Sequence, residues 1–235
     1  MDTGSPAHSL TRADLAGLRA KPLRTGAVNK ADLLLYRIGD ENVLLKDYSR
    51  KPGLWRSVVG RVLTRRESRA LRELVGVQGV PQFRGRPDRY SFLMTFRPVE
   101  RARAANLPGD RLGFVRELER IVREMHGRGV VHLGLKHRTN VTVAADGSAM
   151  VLDFESAVCF SPRWWGGRLA VRLLGQLDWL AVQNWKRRLC PESLTEDERR
   201  RAKWAKRLRG AYLPRRFIGA IVDIYQRTTR GPLGR

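Results

Sequence analysis

The sequence predicts an α+β chain in two lobes, a small β-rich lobe followed by a helical one. Three observations carry this. Short apolar runs paired around Gly/Asp/Asn turns dominate the stretch before Arg97. Apolar faces at helical spacing dominate after Asp110. A polar stretch, 97–109, separates the two regimes. The expected division is a leader at 1–22, an N-lobe at 23–97 and a C-lobe at 98–235.

Residues 1–22 read as a poorly ordered leader, with room for a short helix over Ala13 to Arg19. Leu33 to Tyr36 and Val43 to Tyr48 flank Gly39-Asp40-Glu41-Asn42 and read as a β-hairpin. Val58, Val59, Val62, Leu63, Ala70, Leu71 and Leu74 recur at helical spacing and predict a helix ending near Gly76. Strands at Gln82 to Arg84 and Tyr90 to Phe96 are expected around a turn at Gly85-Arg86-Pro87-Asp88. Asp110 is a good N-cap for a helix whose apolar face is Leu112, Val115, Leu118, Ile121, Val122 and Met125, closed by Gly127 and Gly129. Val130-Val131-His132 leads into a loop. Two small strands, Val141 to Ala144 and Met150 to Leu152, follow. Beyond Ser161 the pattern is helical, with breaks expected at Gly166-Gly167, Pro191 and Gly210 to Pro214. No internal repeat is present.

The 235 residues suffice to bury a core. Lys and Arg number 46 against 23 acids, a formal charge of +23. Such a surface attracts polyanions: nucleic acid, anionic head groups or phosphorylated substrates. Two cysteines, Cys159 and Cys190, make no disulfide framework and no metal-ligand spacing. The acidic, apolar-poor start is not a signal peptide, and the most apolar stretch, Leu169 to Trp185, is interrupted by Arg172 and Asp178. The expectation is a soluble, cytoplasmic protein without a transmembrane segment, basic enough to attach to the inner membrane face.

Phosphoryl transfer from ATP needs few protein groups: a lysine on the phosphates, a carboxylate holding it, oxygen ligands for Mg²⁺, and a carboxylate orienting the acceptor. Lys46, mid-strand among Leu44, Leu45 and Tyr48, is either a buried cation needing an anion or an edge lysine facing solvent. Glu67 in the next helix can supply the anion, with Glu73 as competitor. His126-Gly-Arg-Gly-Val-Val-His-Leu-Gly-Leu-Lys-His-Arg-Thr-Asn140, followed after a small hairpin by Met150-Val-Leu-Asp-Phe-Glu155, places a histidine, a lysine, an asparagine and an aspartate in order after a helix.

Over residues 24–190 these segments resemble the protein-kinase-like superfamily, near the lipopolysaccharide-kinase and RIO-type minimal kinases. The resemblance implies a two-lobed protein-kinase-like fold with a shortened C-lobe, and ATP and Mg²⁺ as cofactors. It implies that Lys46 contacts the α- and β-phosphates and Glu67 pairs with it. Met94 would be the gatekeeper, with Thr95, Phe96 and Arg97 as the adenine-contacting hinge. His132 would be the structural histidine of the catalytic loop, Lys136 would approach the γ-phosphate, and Asn140 and Asp153 would hold the metal. An aspartate such as Asp178 would anchor the loop backbone; an ordinary helix-surface acid is the alternative.

Five departures qualify the resemblance. Gly134 stands where the catalytic aspartate belongs, and glycine can neither take a proton nor orient a hydroxyl; the lost contribution is about 10²–10⁴ in rate. Asn140 lies one residue beyond the expected register, which Thr139 holds. Glu155 replaces the glycine of the metal triplet and faces either the metal or solvent. No glycine-rich loop is present, only Gly26. Little chain separates Phe154 from the next helical stretch, so no long activation segment is expected. Two activities fit: Mg²⁺-dependent transfer to an unknown acceptor (protein, glycan or lipid head group), or a pseudokinase binding module.

Residues 161–235 carry 18 Lys and Arg against 6 acids, a net +12, with Trp164, Trp165, Trp179, Trp185 and Trp204. The tryptophans either face a core behind a solvated basic face or lie on an anionic membrane. No nucleic-acid motif appears, so nucleic acid is not an expected partner. His126, His132 and His137 lack ligand spacing.

Overall fold

The structure is a computed structural model that describes residues 10–26, 30–53, 55–105, 107 and 109–196. Residues up to Cys190 form one compact unit, and a second begins at Pro191, of which only residues 191–196 are described. The expected break at Gly210 to Pro214, and Trp204, lie outside the described residues.

The described residues open with a short helix, α1 (Arg12–Ala16), then β1 (Lys21–Arg24), β2 (Asp32–Ile38) and β3 (Glu41–Asp47). A π-helical turn at Trp55–Gly60 runs into α2 (Arg61–Glu73), and β4 (Phe83–Asp88) and β5 (Ser91–Thr95) follow. The five strands form an antiparallel sheet in the order β1-β2-β3-β5-β4. Strand alternation sorts its two faces. Val43, Leu45 and Leu93 point to one side and close over Leu15 of α1. Lys46 points to the other side, the side of its cross-strand partner Phe92, which belongs to the core shared with α2.

The segment from Leu10, expected as leader, is therefore part of the sheet lobe. Thr11 and Asp14 cap α1 reciprocally, and the Arg12 guanidinium grips Asp47 through two hydrogen bonds and also pairs with Asp88. In β4 the expected turn at Gly85 to Asp88 is instead bulged strand, and the chain reverses at Arg89-Tyr90. β4 is a sheet edge, where Pro87 has no ladder bond to lose.

In α2 the buried stripe is Thr64, Glu67, Ser68 and Leu71, while Val58 and Val62 are exposed. Val62 shares its exposed side with Arg65 and Arg69, so the apolar periodicity expected through the valines is offset from the true inner face.

Within the expected linker lies β6 (Val99–Arg101), which pairs with β8. Asp110 caps α3 (Arg111–Gly127) by accepting the Gly113 N–H. β7 (Val130–Val131), β8 (Val141–Ala144), β9 (Ala149–Val151) and β10 (Val158–Cys159) make two small sheets, β6-β8-β9 and β7-β10. The loop 132–140 joins β7 to β8, and Asp153 follows β9.

α4 (Trp165–Leu189) then packs along α3 through Gly167, Val171, Gly175, Asp178, Val182, Trp185 and Leu189, a seam spaced three and four residues apart. The expected break at Gly166-Gly167 is a continuous first turn: a Cβ on Gly167 would sit 2.0 Å from the Ser161 carbonyl oxygen. Cys159 and Cys190 are thiols, and burial pushes Cys159 up to about 11. Among the described residues no helix is long and apolar enough to cross a membrane.

Candidate active site

Lys46 lies near the end of β3, fully inside the protein. Its ammonium is 2.7 Å from Glu67 on α2, 2.6 Å from Glu155 and 3.4 Å from Asp153. Carboxylates from α2 and from the segment after β9 thus meet at one nitrogen. Burial opposes the charge on Lys46, but Glu67, Asp153 and Glu155 more than offset it, and its pKa is raised. Burial pushes Glu67 up to about 7 even with the ammonium beside it. Of the two readings of Lys46 left open by the sequence, the buried one holds. Glu73 is exposed at the end of α2 and takes no part.

Glu155 is the residue that sequence reasoning undervalued. Its carboxylate turns inward, to Lys46 and to the Tyr48 hydroxyl, which donates to it at 2.9 Å. The signal was its replacement of a glycine beside Asp153. Tyr48 directly follows β3, two residues from Lys46, where strand alternation carries it to the same side as Lys46.

The catalytic-loop segment is held from below. Asp178, 1% exposed, accepts the backbone N–H of His132 and of Leu133, both at 2.8 Å, and lies 3.1 Å from His126 Nε2. Asp178 is therefore the loop anchor, not a surface acid. Trp185 Nε1 donates to the Leu135 carbonyl at 3.0 Å from the same helix. His132 accepts the Gly134 N–H at Nδ1, which leaves Nε2 to donate to the Leu152 carbonyl. Burial lowers its pKa, consistent with this neutral tautomer.

Asn140 is buried, donates through Nδ2 to the Gly134 carbonyl, and its own carbonyl accepts the Leu152 N–H at 2.8 Å. Thr139 is exposed and donates to the Asn140 amide oxygen. The loop is thereby stitched to the strand leading into Asp153. Leu133 (φ 60°) and Asp153 (φ 65°) are the described non-glycine residues with left-handed backbones. Such strain costs about 1–3 kcal/mol each and persists where the surroundings impose it.

Gly134 is closely enclosed. A Cβ there would meet Ser156 Oγ at 2.8 Å, and Asn140 Nδ2 and His132 Cε1 at 3.0 Å. The Ser156 hydroxyl donates to the His132 carbonyl. Lys136 is exposed on the loop and is not brought to Lys46 by any described contact. Met94 pairs with Leu44 across the sheet. The Thr95 and Phe96 N–H groups donate to the Gln82 and Asn42 carbonyls, so they are not free for a base; Arg97 is exposed beyond them.

The oxygens fit a hard divalent cation. Carboxylate oxygens of Glu67, Asp153 and Glu155 lie within 4.8 Å of one another, and the Asp153 side chain is half exposed.

No protein family and no curated protein matches the sequence. Solved structures do match the fold. The Rio2 kinase from Chaetomium thermophilum aligns at a TM-score of 0.55 and 15% identity over 75% of this chain. Its ADP/Mg²⁺-phosphoaspartate complex aligns at 0.51, again with 15% identity over 75%. The chain spans 59% and 57% of the length of those two proteins. The likeness at this identity is one of fold.

Proposed function

From the premise that this chain has a protein-kinase-like fold of the RIO type, we propose that it binds ATP with Mg²⁺ between its lobes and transfers the γ-phosphoryl group. The observation that carries the proposal is the convergence of Lys46, Glu67 and Asp153 within 3.4 Å contacts on one side of the sheet. Lys46 holds the α- and β-phosphates, and Glu67 fixes the direction of its ammonium. Asp153 and Asn140, with Glu155 as a further oxygen donor, would hold Mg²⁺, which would supply charge neutralisation at the phosphate oxygens. Glu155 gives up its contact to Lys46 when phosphates take its place. His132 keeps the loop in register through Gly134 and Leu152.

Gly134 offers no group to take a proton from an acceptor hydroxyl. This favours an acceptor already ionised, such as a carboxylate. The acceptor oxygen bonds to the γ-phosphorus as the bond to the β–γ bridging oxygen breaks, and ADP leaves. The Rio2 complex holds ADP, Mg²⁺ and phosphoaspartate, a precedent for such an acceptor in this fold. The second reading, a pseudokinase that holds nucleotide without transfer, is supported by the closed space around Gly134.

The test is ATP consumption and label transfer from γ-labelled ATP by the wild type and by Asp153→Asn. Turnover in the wild type that disappears in Asp153→Asn supports transfer. Nucleotide binding without turnover favours the binding module.

A further inference from the structure

One face of α4 has no use in the reading above. Trp165, Leu169, Leu173, Leu177 and Leu180 recur at spacings of four, four, four and three, on the side opposite the seam that packs on α3. All are exposed, Trp165 at 65% and Leu173 at 64%. Trp164, its ring 5.6 Å from that of Trp165, is exposed beside the first of them. The stripe is about 23 Å long at 1.5 Å per residue.

Its charge is one-sided. Between Ser161 and Cys190 the sequence has six Lys and Arg and one acid, Asp178. That acid is buried beneath the catalytic loop. The stripe is therefore flanked by positive charge with no exposed acid on the helix: Arg168 and Arg172 along one edge, Arg187 and Arg188 at the C-terminal end. Beside that edge lies a cavity of about 440 Å³, with Arg168 and Arg172 among its lining residues and Val171, Trp179, Pro162 and His126 making its walls. Guanidiniums over an apolar recess suit a phosphate with an acyl chain attached.

We propose that α4 docks on an anionic phospholipid bilayer. It lies in the interface plane, with the Trp/Leu stripe among the acyl chains and Arg168 and Arg172 on head-group phosphates. An interfacial helix of this kind buries its apolar face about 5–10 Å deep and is held by area plus charge. Arginines at the flank reach the phosphates while their stems cover apolar surface. The proposal stands independently of nucleotide binding.

The test is co-sedimentation of the full chain, without nucleotide, with vesicles of phosphatidylcholine alone and with 30 mol% phosphatidylglycerol. The expected result is binding to the anionic vesicles that weakens in high salt. Leu169→Ser/Leu173→Ser lowers partitioning about tenfold or more, from lost burial of two leucines. Arg168→Gln/Arg172→Gln lowers it about fivefold per arginine. Melting temperature without vesicles stays within a degree or two for the leucine variant. Four results would overturn the proposal. One is no binding to anionic vesicles. Another is equal binding by both variants, which would place the lipid contact elsewhere on the chain. A third is a concentration-dependent dimer that the leucine variant abolishes. The last is a marked fall in the melting temperature of the leucine variant, which would show that the protein covers the stripe itself.

Discussion

Lys46 is enclosed by more negative charge than one ammonium needs, and that excess argues for a second cationic guest. Breaking a buried ion pair from one side costs about 3–5 kcal/mol, whereas replacing both partners by apolar groups is often neutral. Lys46→Ala is therefore expected to lose stability in urea unfolding, and Lys46→Met/Glu67→Leu to lose less than the single change. A double variant less stable than the single one would mean the pair is kept for stability. His132 supplies the pH dependence. Its folded pKa is lowered from 6.5, so below pH 6.5 the unfolded chain takes up a proton that the folded one refuses. The stability this residue contributes is present above pH 6.5 and declines as pH falls below it. The difference in unfolding free energy between wild type and His132→Gln should shrink from pH 7 to pH 5.5; a difference constant across that range contradicts the neutral tautomer. Gly134→Asp meets the Ser156 hydroxyl, so it is expected to destabilise alone and to recover part of that loss with Ser156→Ala, read from the two melting temperatures.

At the scale of elements, α4 does two jobs from opposite sides. Its inner seam carries Asp178 to two backbone N–H groups of the loop. Asp178→Ala leaves both without their acceptor, and each buried unsatisfied group costs about 1–3 kcal/mol. A combined loss of roughly 2–6 kcal/mol is expected in denaturant unfolding, with the loop amides of His132 and Leu133 losing hydrogen-exchange protection first. The strands β2, β3, β5, β8 and β9, and the helix α3, were legible because period-two and period-3.6 patterns survive where one face is apolar. α2 was legible as a helix but not in its facing, because its buried side mixes Thr64, Glu67 and Ser68 with Ala70 and Leu71, and the partner that draws Glu67 inward, Lys46, lies 21 residues away. β6 was missed, and the short helix α1 was assigned to a leader rather than to the sheet lobe, for the same reason: β6 is secured by pairing with β8 and Arg12 by Asp47 and Asp88, and none of these partners is visible in a local window. The choice between Thr139 and Asn140 stayed open in the sequence because the bonds of Asn140 to Gly134 and Leu152 are not visible there.

For the whole molecule, the site depends on two lobes contributing to one point. The sheet lobe brings Lys46, α2 brings Glu67, and the strand after the loop brings Asp153 and Glu155. The shared core from Leu71 and Phe92 through Leu118 to Trp185 joins these parts. A chain so assembled has a formal net charge of +23 and a knot of three carboxylates around one buried lysine. A nucleotide with Mg²⁺ answers both the lysine and the carboxylates. Isothermal titration of ATP and Mg²⁺ into the full chain tests this most directly, beside Lys46→Ala checked as folded by circular dichroism and Asp153→Asn, whose half-exposed side chain makes a mild change. The account predicts one saturable site per chain, weakened at least about tenfold in Lys46→Ala, the loss of one charge-assisted contact, and made insensitive to Mg²⁺ in Asp153→Asn. No binding by the wild type, or equal affinity in all three proteins, would contradict it.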